Sequence, residues 1–300
     1  MFKFIYRKLL AILCQMETPK KIFVTGATGN QGGAVVRNLL SRGFYVKALV
    51  RNPDAPAVKK IIQEHVEIIK GDLDDPASYK QHLKEAGGVF CNLVFKYGVD
   101  KEIKQGFDLI NLSKENNVKH FVYASVIGCD LNTGIPHWES KFKIENHIKE
   151  SGMGHTIIRP SSLYENFLFP QVKSGIMKGK LVMPTHKNKV QQFISSDDVG
   201  KVAATIFSNP EKYASQTITL AAEQMDGEQL AAVFSKAMNK KMKFQQLSMF
   251  IVWLAMGKKL AKMFRWINNN DALFVKDIPA LKSEFQGMVT LEEWIRNNFK

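Results

Sequence analysis

The chain has 300 residues, 45% apolar and 23% charged, a balance that suits a globular protein with a full core. Its longest apolar run, MFIVWLAM (249–256), is far shorter than the roughly 18 residues that cross a bilayer. Cys14, Cys91 and Cys129 lack the paired spacing of a metal motif, so no metal, reduced thiols and a cytoplasmic setting are expected, while the formal charge of +14 leaves nucleic acid, anionic membrane and phosphorylated small molecules open as partners.

Residues 1–19 form a leader that resembles a secretory signal only loosely. The start is basic, but LLAILC is shorter than an h-region of about 7–15 residues, and no A-x-A site follows. Leu13 is too large for a lipoprotein cleavage site before Cys14, and Met16 opens METPKKIFVTG, which leads straight into the first strand. The leader is expected to lie outside the fold or to touch a membrane surface as an amphipathic helix.

From Lys20 onward strands and helices alternate. Apolar runs predict strands at 21–24, 45–50, 66–71, 88–94, 120–125 and 155–160, with helical patterns between them at 33–41, 58–65, 76–85, 101–116 and 138–150. That alternation predicts an α/β fold over 20–209, a doubly wound parallel sheet covered on both faces. Ligands of such sheets bind beyond the carboxyl ends of the strands, near the point where strand order reverses. After Asn209 the pattern loosens: a strand at 216–220, a helix at 228–238, a strand at 242–247 and further helices, the last opened by a capping box of Thr290 and Glu293. Residues 210–300 are expected to form a smaller, mainly helical lobe over the open end of the sheet.

The first strand runs into VTGATGNQGGAVVRNLL, where Gly26, Gly29 and Gly32 have G-x-x-G-x-x-G spacing between strand and helix. Glycine permits the tight turn and lets the backbone approach a pyrophosphate, and the helix N-terminus offers free N–H groups. A dinucleotide is expected there, with Thr28, Asn30 and Gln31 completing the contacts. The second strand ends in ALVRNPD, with Arg51 where an acid would bond the ribose of NAD. A guanidinium suits a 2′-phosphate, so NADP(H) is expected in preference to NAD(H), although Asp54 lies close by. In KGDLDD, after the third strand, Asp72 and Leu73 can edge an adenine, or Asp72 or Asp74 can cap a helix. Asn92 and Val94 follow the fourth strand beside the cofactor, with Lys96 a further cation.

These segments, with RPSSLYENF and DIPALKSEFQGMVTLEEWI, resemble the NmrA-like family, a branch of the atypical short-chain dehydrogenases; the likeness runs from Lys20 to Phe299. The resemblance implies a Rossmann domain with a smaller C-terminal lobe and NADP binding. It also implies divergent roles: co-regulators and redox sensors that bind dinucleotide without turnover, and reductases of quinones or phenolic carbonyls.

Carbonyl-reducing short-chain dehydrogenases carry Tyr-x-x-x-Lys on the helix after the fifth strand. In IPHWESK the lysine slot matches Lys141, His137 stands in the tyrosine slot, and Ser125 matches the companion hydroxyl. Three readings stay open: His137 is the acid, having an ordinary pKa near neutrality; a quinone takes hydride with its proton from water or His137; or Lys141 binds ribose and nothing turns over. Trp138, Ser161, Tyr164 and Phe167 are the expected substrate-pocket residues, Tyr164 being an alternative donor. Over 247–267, Met249, Trp253, Met256, Leu260, Met263 and Ile267 recur at intervals of three and four, with Lys258, Lys259, Lys262 and Arg265 mainly off that stripe. This amphipathic helix reads as a lid with a solvated basic face, or as a docking surface for a regulatory protein partner; a membrane surface or a nucleic-acid backbone would exploit the same charges. No recognition helix or stacking platform is present, so direct nucleic-acid binding is not expected. The sequence thus points to an NADP(H)-responsive binding or regulatory protein with little turnover, or alternatively to an NADPH-dependent oxidoreductase whose small-molecule substrate is a quinone or small carbonyl compound.

Overall fold

The computed structural model describes residues 20–271 and 273–299, which leaves the leader outside the described residues. The first half of the chain builds β1 (Lys21–Val24), β2 (Tyr45–Val50), β3 (Val66–Lys70), β4 (Gly88–Asn92), β5 (His120–Ala124) and β6 (His155–Pro160). Between them lie α1 (Asn30–Leu40), α2 (Pro56–Lys59), α3 (Lys80–Leu83), α4 (Val99–Glu115) and α5 (Pro136–Ser151). The second half adds β7 (Ser162–Leu163), α6 (Pro170–Met177), β8 (Lys180–Met183), β9 (Gln191–Ile194), α7 (Ser196–Ser208) and β10 (Gln216–Leu220). It closes with β11 (Glu223–Met225), α8 (Gly227–Met238), β12 (Lys243–Gln246), α9 (Met249–Asn269), α10 (Ile278–Glu284) and α11 (Leu291–Asn298).

Seven strands form one parallel sheet in the order β3-β2-β1-β4-β5-β6-β10. Strand order therefore reverses between β1 and β4, which sets the ligand crevice at their carboxyl ends. The side-chain period of two explains why these strands are apolar throughout. Ile22 and Val24 of β1 face one half-core with Val35, Val36 and Leu39 of α1 and Val199, Val202 and Ile206 of α7. Phe23, between them in sequence, faces the other half-core with Leu109 and Ile110 of α4 and Ile144 and Ile148 of α5.

Two predicted helices are shorter than their patterns. The segment at 58–65 is helical only through Lys59; turns follow to His65, whose left-handed φ of 69° leads the chain into β3, its ring 4.3 Å from that of Tyr45. The segment at 76–85 breaks into a 3-10 turn and α3 around Tyr79, whose buried ring lies 6.1 Å from that of Phe23.

The division at residue 209 is also corrected. β10 belongs to the main sheet beside β6, while β7, β8 and β9 lie in two small sheets with β11 and β12. The second lobe thus draws on 162–194 as well as the C-terminal third. Its own core holds Phe167, Phe193, Phe234 and Trp294, with the Phe234 ring 5.0 Å from Phe167 and 5.7 Å from Phe299. Truncating such a ring removes its transfer free energy and leaves a cavity. Phe234→Ala is expected to cost about 3–5 kcal/mol, read as a lower urea midpoint.

Candidate functional site

At the carboxyl end of β1 the chain turns sharply: Gly26 has φ 62°, and the Gly29 N–H donates to its carbonyl at 2.9 Å. A Cβ on Gly32 would lie 2.1 Å from the Gly26 carbonyl oxygen, so glycine is what lets α1 start directly against the turn. No side chain caps α1 at Gly29, and its first turn carries no acid. Thr28, Gly29 and Asn30 are exposed, and Gln31 Oε1 is buried with no partner. An uncapped helix N-terminus in a cradle of glycines offers backbone N–H groups and a positive dipole end to an anion.

The crevice closes on its other side with β4. Thr25 Oγ1 donates to the Asn92 carbonyl at 3.1 Å and accepts from the Asn92 N–H at 2.9 Å, which ties the ends of the two strands together. Arg51, exposed at the end of β2, has its guanidinium 5.5 Å from the Tyr97 ring centre and 3.5 Å from the Tyr97 hydroxyl. Among the described residues it makes no ion pair. The acids that act on its charge are Asp72 and Asp74 rather than Asp54, whose N–H donates to Asn52 at 3.0 Å. Asp72 organises its own loop, accepting from the Asp74 N–H at 3.0 Å, with Leu73 half-buried beside it. Asp74 is occupied by Lys101 and Gln105.

Lys141 and His137 share one helix, α5, as their spacing requires. Lys141 Nζ is buried and donates to Glu102 Oε1 at 2.9 Å and to the Leu93 carbonyl at 3.3 Å; Ser140 Oγ donates to Glu102 Oε2 at 2.6 Å. Glu102 is completely buried on α4, so this ion pair replaces hydration for both charges. His137, one turn earlier, is also buried. Its ring stacks on Phe95 at 4.5 Å, Nε2 lies 3.3 Å from Met263 Sδ, and Nδ1 has no partner. Burial pushes its pKa down from 6.5 to about 4, against a smaller upward pull from Glu102. Ser125 faces elsewhere, with Oγ 3.6 Å from Cys129 Sγ. That thiol donates to Glu145 at 3.1 Å, and Arg159 holds the same carboxylate through two bonds of 2.9 and 2.6 Å. Burial raises the Cys129 pKa to about 12, so it carries no reactive thiolate.

The expected substrate pocket divides. Trp138 and Ser161 stay near the strand ends: Trp138 is buried with its ring 5.2 Å from Trp266, and Ser161 Oγ is buried without a partner. Tyr164 and Phe167 do not line a pocket there, which corrects the sequence expectation. β7 pairs with β9, and the following 3-10 helix carries both rings into the lobe core. The Tyr164 hydroxyl donates to Glu223 at 2.8 Å, which removes it as a proton donor.

The roof comes instead from α9 and the strand-like segment after it. Lys262 Nζ donates to the Gly134 carbonyl at 2.5 Å, Met263 covers His137, and Trp266 meets Trp138. Gln192 clamps the following segment by accepting from the Phe274 and Val275 N–H groups at 3.0 Å and donating to the Val275 carbonyl at 2.7 Å. The helix is not the continuous amphipathic element its periodicity predicts. Gly257 breaks it with φ 82° and ψ 168°, and Trp253 and Met256, expected on the packed stripe, are exposed. Sequence reading missed Glu102, Tyr97, Phe95 and the roof contacts. Phe95 and Tyr97 had a local signal, since both fall in the short segment after β4 that faces the crevice.

Two tests follow from this geometry. Lys141→Met leaves the Glu102 carboxylate buried without its cation and is expected to destabilise the fold by about 3–5 kcal/mol; adding Glu102→Gln restores much of the loss in urea unfolding. His137 titrates near 4 when folded but near 6.5 when unfolded, so the unfolded state binds more protons between those values. Stability is therefore expected to fall as pH drops from about 6.5 toward 4, with no such dependence above 6.5. His120, likewise pushed down to about 4 by burial, adds to the slope. His137→Gln flattens it, measured as urea midpoints between pH 7.5 and 5.

Comparison with known proteins accords with this arrangement. The profile of the NmrA-like family matches residues 18–295. The NmrA-like family domain-containing oxidoreductase FrzB of a Cladobotryum species is 29% identical over 252 residues, covering 75% of each chain. Among solved structures, NmrA, a negative transcriptional regulator, in complex with NADP, superposes with a TM-score of 0.80 at 21% identity, covering 93% of this chain and 95% of that one. The NADPH-dependent quinone oxidoreductase QOR2 from Escherichia coli, complexed with NADPH, gives a TM-score of 0.78 at 21% identity, covering 93% and 100%. With a family profile that spans the sheet, the glycine cradle and the lobe, the chain belongs to the NmrA-like family.

Proposed function

We propose that this chain is an NADP(H)-responsive binding or regulatory protein with little turnover of its own. The observation that carries this reading is the state of His137. The residue in the proton-donor slot is buried under Met263 and Phe95, and a pKa of about 4 leaves it neutral at physiological pH. A neutral imidazole is a very weak acid, so carbonyl reduction would forgo a factor of about 10²–10⁴ from general acid catalysis. Tyr164 offers no substitute, because its hydroxyl is committed to Glu223.

The binding half of the reading rests on the other end of the crevice. The glycine cradle and the uncapped start of α1 fit a pyrophosphate. Arg51, exposed and free of a carboxylate ion pair among the described residues, fits a 2′-phosphate, with the Tyr97 ring beside its guanidinium. Lys141 keeps its place between Glu102 and Leu93 and can orient a ribose hydroxyl without supplying a proton. When bound, the nicotinamide would supply hydride chemistry; the residues of this chain supply binding, orientation and exclusion of water. A sensor must bind two states of its ligand unequally, and a tenfold response needs about 1.4 kcal/mol of differential affinity.

A second reading, NADPH-dependent reduction of quinones or small carbonyl compounds, draws on relatives such as the oxidoreductase FrzB. Quinone reduction needs no side-chain acid, which a buried His137 permits.

The deciding experiment titrates NADPH, NADP+ and NADH into purified protein by calorimetry and follows NADPH oxidation against a panel of quinones and aldehydes. Tight NADPH binding with negligible oxidation is expected. Arg51→Ala is expected to lose about 10- to 100-fold in NADPH affinity, the worth of one charged hydrogen bond, with NADH affinity unchanged. Turnover that falls in His137→Ala while NADPH affinity is retained would overturn the binding reading. Turnover of quinones that survives His137→Ala would establish the quinone route.

A further inference from the structure

The two halves of α9 have opposite environments. Residues 258–269, beyond the break at Gly257, are anchored: Lys262 to Gly134, Met263 to His137, Trp266 to Trp138, and Asn268 to the Pro184 carbonyl at 3.1 Å. Residues 249–256 carry the same apolar character with almost no cover. Phe250 is 69% exposed, Leu254 71%, Trp253 51%, Ile251 46% and Met256 41%; only Val252 is buried. A helix that is apolar around most of its circumference is ordinarily surrounded by apolar matter. Here it projects between a short strand and a glycine hinge.

Charge identifies the surroundings. Between Glu228 and Asp271 the chain has no acidic residue, while Lys240, Lys241 and Lys243 precede the apolar segment and Lys258 and Lys259 follow it. All five lysines are exposed, and among the described residues none of them forms an ion pair. Eight residues span about 12 Å, too short to cross a bilayer but long enough to lie in its interface. No helix among the described residues is long and apolar enough to cross. A second copy of the chain would bring two cationic flanks together, and an apolar tip gives a nucleic-acid backbone nothing to bond. An anionic lipid surface satisfies both parts at once: acyl chains receive Phe250, Trp253 and Leu254, and headgroups receive the lysines.

We propose that residues 249–256, flanked by Lys240–Lys243 and Lys258–Lys259, dock this protein on an anionic membrane surface. This is independent of any turnover at the dinucleotide site.

The test is flotation of the full-length protein with vesicles of phosphatidylcholine alone and of phosphatidylcholine with 30% phosphatidylserine, at low and high salt. The expected result is at least tenfold stronger binding to the anionic vesicles, weakened by salt. Phe250→Ser with Leu254→Ser, and separately Lys258→Glu with Lys259→Glu, are each expected to reduce binding at least tenfold while NADPH affinity and circular dichroism are retained. Quenching by brominated acyl chains is expected in the unaltered protein and largely lost in Trp253→Phe. No binding to anionic vesicles, or binding that the apolar double substitution leaves intact, as a leader-driven contact would, overturns the proposal. So does a dimer, without vesicles, that this substitution dissociates, since the face would then be covered by a second copy.

Discussion

An ammonium and a carboxylate held out of water fix the geometry of this site. Lys141 on α5 reaches Glu102 on α4 and the Leu93 carbonyl just after β4, so one ion pair sets the distance between two helices and the central strand. Desolvating two charges is costly, and the pair persists because Ser140 satisfies the remaining carboxylate oxygen. Everything on the same helix inherits that register. His137 and Trp138 are delivered to the strand ends one turn before Lys141, where Phe95, Met263 and Trp266 enclose them.

The crevice is therefore asymmetric. At one end, glycines, an uncapped helix and an exposed guanidinium leave room for phosphate. At the other, an ion pair, a neutral histidine and two tryptophans fill the space over α5. Recognition needs accessible donors, whereas proton transfer needs a donor within reach of substrate in the right charge state. The open end presents such donors, and at the roofed end His137 lies buried beneath Phe95 and Met263.

Much of this was legible in the sequence, and the failures have physical causes. Strands buried on both faces read as continuous apolar runs, so their positions and parallel arrangement followed from pattern alone, while the strand order and the place of β10 beside β6 did not. The glycine turn was legible because close backbone approach admits no other residue at Gly32. Glu102 was not legible: an acid beside Asp100, Lys101 and Lys104 looks solvated, and only folding brings Lys141 against it from 39 positions away. Tyr164 and Phe167 sat at the right distance after β6, but the pairing of β7 with β9, a long-range event, turned them into the lobe. The periodicity of α9 was real, yet periodicity carries no information about a glycine that takes φ 82°.

That glycine has a mechanical consequence. A continuous helix transmits bending and torque along its hydrogen-bond ladder, and a left-handed residue interrupts the ladder and absorbs both. Apart from Val252, the apolar tip before Gly257 shares none of the contacts that hold Met263 and Trp266 over the rings they cover. Substitutions in the two halves of the helix are therefore expected to combine additively rather than cooperatively.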